Sequence, residues 1–379
     1  MKKAVLAFVV AGLLAGCSSN SSESNITLGE KGKEEYLRFN AGEVHWVSVG
    51  DLMPTQKTIG QLQNGYKLGR WQFEEKKLFE EFCETYGLRD SVEFFDENSD
   101  FNDPDSFVCK DPRESDGEIS QDQNGVERIM GWVNTVIVGP DGALYLTDGH
   151  HTFSRFHDME GGGKDTRILV RVDENFAFNA DNTRSDMATF WQKMQETKNV
   201  YLFDNGNAIE PSELPQDLGY ASATNPNGLI NDDYRALVYY TRDIGWHKGS
   251  AESIPFLEYY WAEELRDVIQ VSDADTIEEY VQVVLDASRY MVSLSDDYVL
   301  GGSGKTTAEL GQLPELGLND TQSIIEDTIC EWDKDDAKAG KLKLGKLGWA
   351  FYQNGTDIED FPYPCNTLSD YENRYDLSR

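Results

Sequence analysis

Two glycine-containing turns placed close together constrain this chain more than any other feature. Gly139-Pro140-Asp141-Gly142 separates two apolar runs, 133–138 and 143–146, and Asp148-Gly149 stops the second run just before His150. Proline fixes one backbone angle of a reversal and glycine supplies the left-handed conformation it needs, so 133–146 is predicted to be a β-hairpin. The next residues, His150-His151-Thr152-Phe153-Ser154-Arg155-Phe156-His157, read as a helix that is over by Gly161-Gly162-Gly163. A helix that starts at a glycine turn has no intrahelical acceptors for its first amides. That start is a natural anion pocket.

Around this unit, residues 44–49 alternate and predict a strand. The strand runs into Asp51-Leu52-Met53-Pro54-Thr55-Gln56, where Pro54 ends regular structure. Residues 71–86 predict a helix with Leu78, Phe79, Phe82 and Tyr86 on one face and Gly87 as its terminator. Residues 90–127 hold 13 acidic side chains against Lys110 and Arg113 and read as a long acidic insertion. Residues 167–172 are a last strand. Beyond it the pattern is helical: Ser185 is expected to cap a helix with Met187, Phe190, Trp191 and Met194 inward. A second stripe runs from Phe256 to Val268. Thr276-x-x-Glu279 is a capping box ahead of Ile277, Tyr280, Val281, Val284 and Leu285. The expected fold class is α+β. A small mixed domain at 41–175 is followed by a mainly α-helical extension at 176–297 and an irregular or helical segment at 298–379.

The N-terminus carries an address. Lys2 and Lys3 precede an apolar run that ends in Leu14-Ala15-Gly16-Cys17. That order of features resembles a bacterial lipoprotein signal over 1–16, with Cys17 as the lipidated residue and 17–40 as a tether. Acyl chains anchor a protein through about 0.8 kcal/mol per buried methylene. Ser18 and Ser19 after the cysteine point to the outer membrane, facing the periplasm of the cell envelope. Export implies an oxidising compartment, so Cys83, Cys109, Cys330 and Cys365 are expected to pair, locally as 83–109 and 330–365. Four reduced thiols are the competing reading.

Charge narrows the partners. The chain has 34 Lys and Arg against 68 Asp and Glu, a formal charge of -34. Its global field repels a phosphate backbone, so no long duplex DNA is expected as a partner. The stretch from His150 to Arg171 is different, with four Lys or Arg against three acids. A small phosphorylated ligand or a short nucleic acid fits that local balance. The chemistry is assigned to Asp148, His150 and His151, with Gly149, Thr152, Arg155 and Gln56 binding the anion. His151 is the general base or a phosphate contact, His150 its partner, and Asp148 the residue that orients a histidine. No carboxylate set completes a metal site around these histidines, so no metal ligand is assigned and the cofactor is left open.

The order of strand, Asp-Leu-x-Pro-Thr-Gln, helix, hairpin, Asp-Gly-His-His and strand resembles the ParB/sulfiredoxin superfamily, in its ParB-like nuclease branch. The likeness spans about 44–172 and rests on Val47-Ser48-Val49-x-Asp51-Leu52-x-Pro54-Thr55-Gln56 and Asp148-Gly149-His150-His151. The segment Pro255-Phe256-Leu257-Glu258 belongs to an extension of the kind that branch carries. The resemblance implies a phosphate-recognising helix start. It does not settle the reaction, because the superfamily includes partition proteins, a sulfinic acid reductase, a kinase and nucleases. His150 stands where the reductase has its cysteine, which argues against sulfinate reduction. The arginine-rich motif of the partition proteins is absent. Two function classes follow. One is an exported nuclease or phosphoester hydrolase. The other is a non-catalytic envelope lipoprotein that uses the pocket or its acidic surface to bind a ligand or an envelope protein partner.

Two further motifs are set aside at this stage. Gly301-Gly302-Ser303-Gly304-Lys305-Thr306-Thr307 resembles a phosphate loop but has Val299 where the first glycine belongs. His247 has no evident catalytic partners.

Overall fold

The computed structural model describes residues 27–249, 254–271, 274–317 and 344–356. Cys17, Cys330 and Cys365 lie outside them. Five strands form the central sheet: β1 (Val44–Ser48), β2 (Leu52–Met53), β3 (Thr135–Val138), β4 (Leu144–Leu146) and β5 (Arg167–Asn175). Their order is β1-β5-β3-β4-β2. β1 runs antiparallel to β5, β3 and β4 form the antiparallel hairpin, and β5–β3 and β4–β2 are parallel. Strands and helices together make the fold α+β.

The sheet is covered on both faces. Leu52, Val136, Val138, Leu144, Leu146, Ile168 and Val170 pack with Phe79, Phe82, Phe153 and Phe156 from the helices α2 (Glu75–Thr85) and α3 (His150–Asp158). The alternate residues Ile137 and Tyr145 meet Phe190 and Met194 of α4 (Met187–Glu196) on the other face. Strand side chains alternate faces, so one short hairpin feeds two cores. A third core is helical and joins α5 (Asp233–Tyr240), α6 (Leu257–Arg266), α7 (Ile277–Ser293) and α8 (Lys346–Gln353). Among the described residues no helix is long and apolar enough to cross a membrane.

Several expectations need correction. The helix expected at 71–86 forms as α2, which starts at Glu75, and a further helix, α1 (Gln61–Trp71), precedes it across residues 72–74. The helix α1 was missed because Gly65 and Gly69 interrupt its apolar pattern. Those glycines let α8 pack against it: a Cβ on Gly69 would sit 2.3 Å from the Trp349 carbonyl oxygen. The acidic insertion is not a featureless loop. It holds the paired strands Val92–Phe94 with Val108–Cys109 and Ile119–Gln121 with Glu127–Ile129, and the Cys83–Cys109 disulfide ties it to α2. Asp122, buried there, accepts the amides of Asn124 and Val126 and pairs with Arg128 at 2.8 Å. Asp186, not Ser185, caps α4 by accepting the Thr189 amide. Met187 on that helix is exposed, and Trp191 is only half-buried. The capping box at Thr276 and Glu279 forms as expected.

Candidate functional site

The site is built where the hairpin hands over to α3. Gly149 is the N-cap with φ 92°, and a Cβ there would lie 2.5 Å from the Asn134 side chain. Only glycine fits that combination of left-handed backbone and close packing. Among the described residues no side chain caps the helix, and none accepts from the amides of His150, His151 or Thr152. Three donors and the positive end of the helix dipole therefore converge at one point.

Both imidazoles are fixed through Nε2. His150 is buried and accepts the Thr55 amide at 3.0 Å. The half-buried His151 accepts the Gly60 amide at 3.1 Å. An imidazole that accepts at Nε2 and is neutral carries its proton on Nδ1, so both rings are Nδ1–H tautomers by hydrogen-bond inference. Burial pulls the His150 pKa down to about 3. Burial also lowers His151, and the charges of Arg235, Arg155 and Arg242 add to the effect. Neither ring holds a second proton at neutral pH.

The other sequence-assigned residues stand as follows. Thr55 and Gln56 lie beside His150, but the buried Gln56 amide donates to the Thr58 carbonyl at 2.8 Å. Arg155 is buried, pairs with Glu81 at 2.7 Å and donates to Thr152 Oγ1 at 2.9 Å. Its Nε has no partner. Asp148 does not orient a histidine. It is exposed, and its carboxylate turns back to accept the Gly149 amide at 2.8 Å. The remaining histidine of the helix, His157, bonds Asp158 at 2.7 Å.

The fold also brings in residues that the sequence did not reveal. Asn64 on α1 is fully buried, and among the described residues neither of its side-chain polar atoms has a partner. Positions 60, 64, 67 and 71 share one helix face. On that face the Gly60 amide meets His151, Lys67 pairs with Glu81 at 2.7 Å, and the Trp71 ring lies 5.9 Å from the Arg155 guanidinium. Asn64 therefore faces α3 between His151 and Arg155. Two carboxylates then each bridge two cations: Glu81 joins Lys67 to Arg155, and Glu258 joins Arg235 to Arg242. Burial alone would raise both glutamates, but the paired cations overcome it and hold them below the ordinary carboxylate range. Four cations thus meet two carboxylates here, in a protein that is strongly acidic overall. Arg235 also donates to Gln63 at 3.1 Å, and its Nε has no partner. Arg235 lies on α5 and Arg242 just past its C-cap Thr241, so sequence spacing gave no sign that they share a partner. Among the described residues no three His, Cys, Asp or Glu side chains are grouped to hold a metal.

Comparison with known proteins gives a family likeness. Residues 45–267 match the family described as "Putative ParB-like nuclease". No curated protein matches. Among solved structures, protein Atu1540 from Agrobacterium tumefaciens is similar, with 18% identity, 65% of this chain and 91% of that chain covered, and a TM-score of 0.41.

Proposed function

This chain belongs to the ParB-like nuclease family, and on that premise we propose that it hydrolyses phosphodiesters at the start of α3. One observation carries the reading. Amides of His150, His151 and Thr152 with no acceptor among the described residues start the helix that α1 packs against with its buried, unpartnered Asn64, and two ion-pair clusters nearby each set two cations on one carboxylate. Donors aimed at a phosphoryl group stabilise the charge that builds on its oxygens in the transition state. Water adds to phosphorus, the bond to the leaving oxygen breaks, and the water proton ends on that oxygen. The engaged Nε2 of His151 favours its role as a phosphate contact, through Nδ1–H, over a role as general base.

The test uses the mature protein and bis(4-nitrophenyl) phosphate. His151→Ala is expected to lower turnover by about 100-fold, the lower end for a positioned catalytic contact, with an unchanged circular dichroism spectrum. Equal turnover in the variant removes the pocket from the mechanism. The same engaged Nε2 atoms also favour a second reading, a pocket that binds phosphate without turnover. Inorganic phosphate binding that His151→Ala weakens, with no hydrolysis in the parent protein, would select it.

The lipid anchor at Cys17 and the periplasm-facing location at the outer membrane are part of the proposal. They rest on the order of charge, apolar run, small residues and cysteine at 1–17. Cys17→Ser is expected to leave the precursor uncleaved and unlabelled by a palmitate analogue fed to the producing bacterium. Labelling equal to the parent would refute the anchor.

A further inference from the structure

A cavity lies away from the start of α3, and its lining is acidic. It encloses about 720 Å³ between α4, α6, the end of α7 and the turn at 301–302. That volume suits a small organic ligand. Tyr201, Phe256, Tyr290 and Tyr298 line it, together with Glu264 and Asp267. The rings form a connected wall on one side: Tyr201 lies 5.2 Å from Phe256 and 4.3 Å from Tyr259. Phe256 holds this place with a left-handed backbone, φ 59°, that bulky residues rarely adopt.

The charges decide the ligand class. Glu264 accepts from Tyr290 at 2.6 Å and from Tyr298 at 3.3 Å, and no cation pairs with it among the described residues. Asp267 likewise has no cation partner there. Glu263, also on the wall, is partly answered by Arg266 at 3.4 Å. Lys198 is the lone basic residue on the lining. Such a cleft repels phosphate, so the glycine-rich turn at 301–304 is not a phosphate loop here. Lys305 of that motif is turned to Glu309 at 2.9 Å.

We propose that this cleft binds an organic cation, an alkylammonium group whose apolar body stacks on the tyrosines while Glu264 answers its charge. Aromatic faces attract cations through their quadrupoles, and a nearby carboxylate without a cation adds to that attraction. Either a free amine or the side chain of a lysine-bearing peptide supplies this chemistry. The cleft backs onto the proposed anion site. The Tyr201 amide donates to the Thr55 carbonyl at 2.9 Å, and the Thr55 amide is the one that holds His150.

The experiment is calorimetric titration of the full mature chain with choline, with a lysine-containing tripeptide amide, and with 3,3-dimethyl-1-butanol, the neutral isostere of choline. Choline or the peptide is expected to bind about tenfold tighter than the isostere, and Glu264→Gln to weaken that binding about tenfold. Glutamine still accepts from both tyrosines, so the fold is retained. Asp105→Asn, on the exposed acidic insertion, is expected to leave the affinity unchanged. Whichever cation binds tighter identifies the source. Binding of neither at about 10 mM, equal binding of the isostere, or no effect of Glu264→Gln overturns the proposal.

Discussion

Asn64→Leu is expected to make the protein more stable and less active at the same time. The native side chain is fully buried, and both its polar atoms lack partners. Each unsatisfied buried group costs about 1–3 kcal/mol, and leucine of similar volume removes both. Urea unfolding should therefore show a gain of about 1–2 kcal/mol. A residue kept for packing alone would gain nothing in function from that strain. Asn64 lies on the face of α1 turned to α3, and on the proposed mechanism its loss takes a hydrogen bond to a charged phosphoryl group from the site. Turnover of bis(4-nitrophenyl) phosphate should fall by about 10–100-fold, the equivalent of one such bond. A variant that is less stable and equally active would show that Asn64 belongs to the core and not to the site.

The second large effect is acid sensitivity that begins well above the carboxylate range. In the unfolded chain His150 takes up a proton near pH 6.5, whereas in the folded protein burial delays uptake until about 3. Below 6.5 the unfolded state thus binds more protons, and folding stability falls with falling pH until the folded ring titrates. Above that value His150 contributes no slope. The full window is worth on the order of 5 kcal/mol, from about 1.4 kcal/mol for each pH unit of separation. His151 is shifted in the same direction and adds to the slope. Glu81 and Glu258 are held below their ordinary 4.5, so their contribution is lost only as pH falls below that value. Between about pH 6.5 and 4.5 the urea midpoints therefore report the histidines, less the opposing contribution of Glu84, which burial raises above 4.5. His150→Gln keeps an acceptor for the Thr55 amide and should flatten the slope. The same slope in both proteins would place the acid sensitivity elsewhere.

How much of this was legible in the sequence depends on where the information sits. The hairpin of β3 and β4 and the start of α3 were readable because Pro140, Gly142 and Gly149 impose local backbone geometry. The helix α1 was not readable, because Gly65 and Gly69 serve the approach of α8 and not the helix's own pattern. The cation bridges were invisible for a related reason. Glu81, Arg155, Arg235 and Glu258 come from four helices, and a charge in one helix gives no sign of the partner it will meet in another. Asp148 was misassigned because its neighbour His150 lies on the helix, while Asp148 stays outside it and bonds the Gly149 amide. The fold class and family came from local turns and one motif. The polar interior came only from tertiary assembly.

The central claim is that the start of α3 receives an anion. Tungstate diffused into crystals of the protein would locate it by anomalous scattering. The account predicts a peak within hydrogen-bond reach of the amides of His150, His151 and Thr152 and beside Asn64. A peak confined to surface lysines, or none at all, would contradict it.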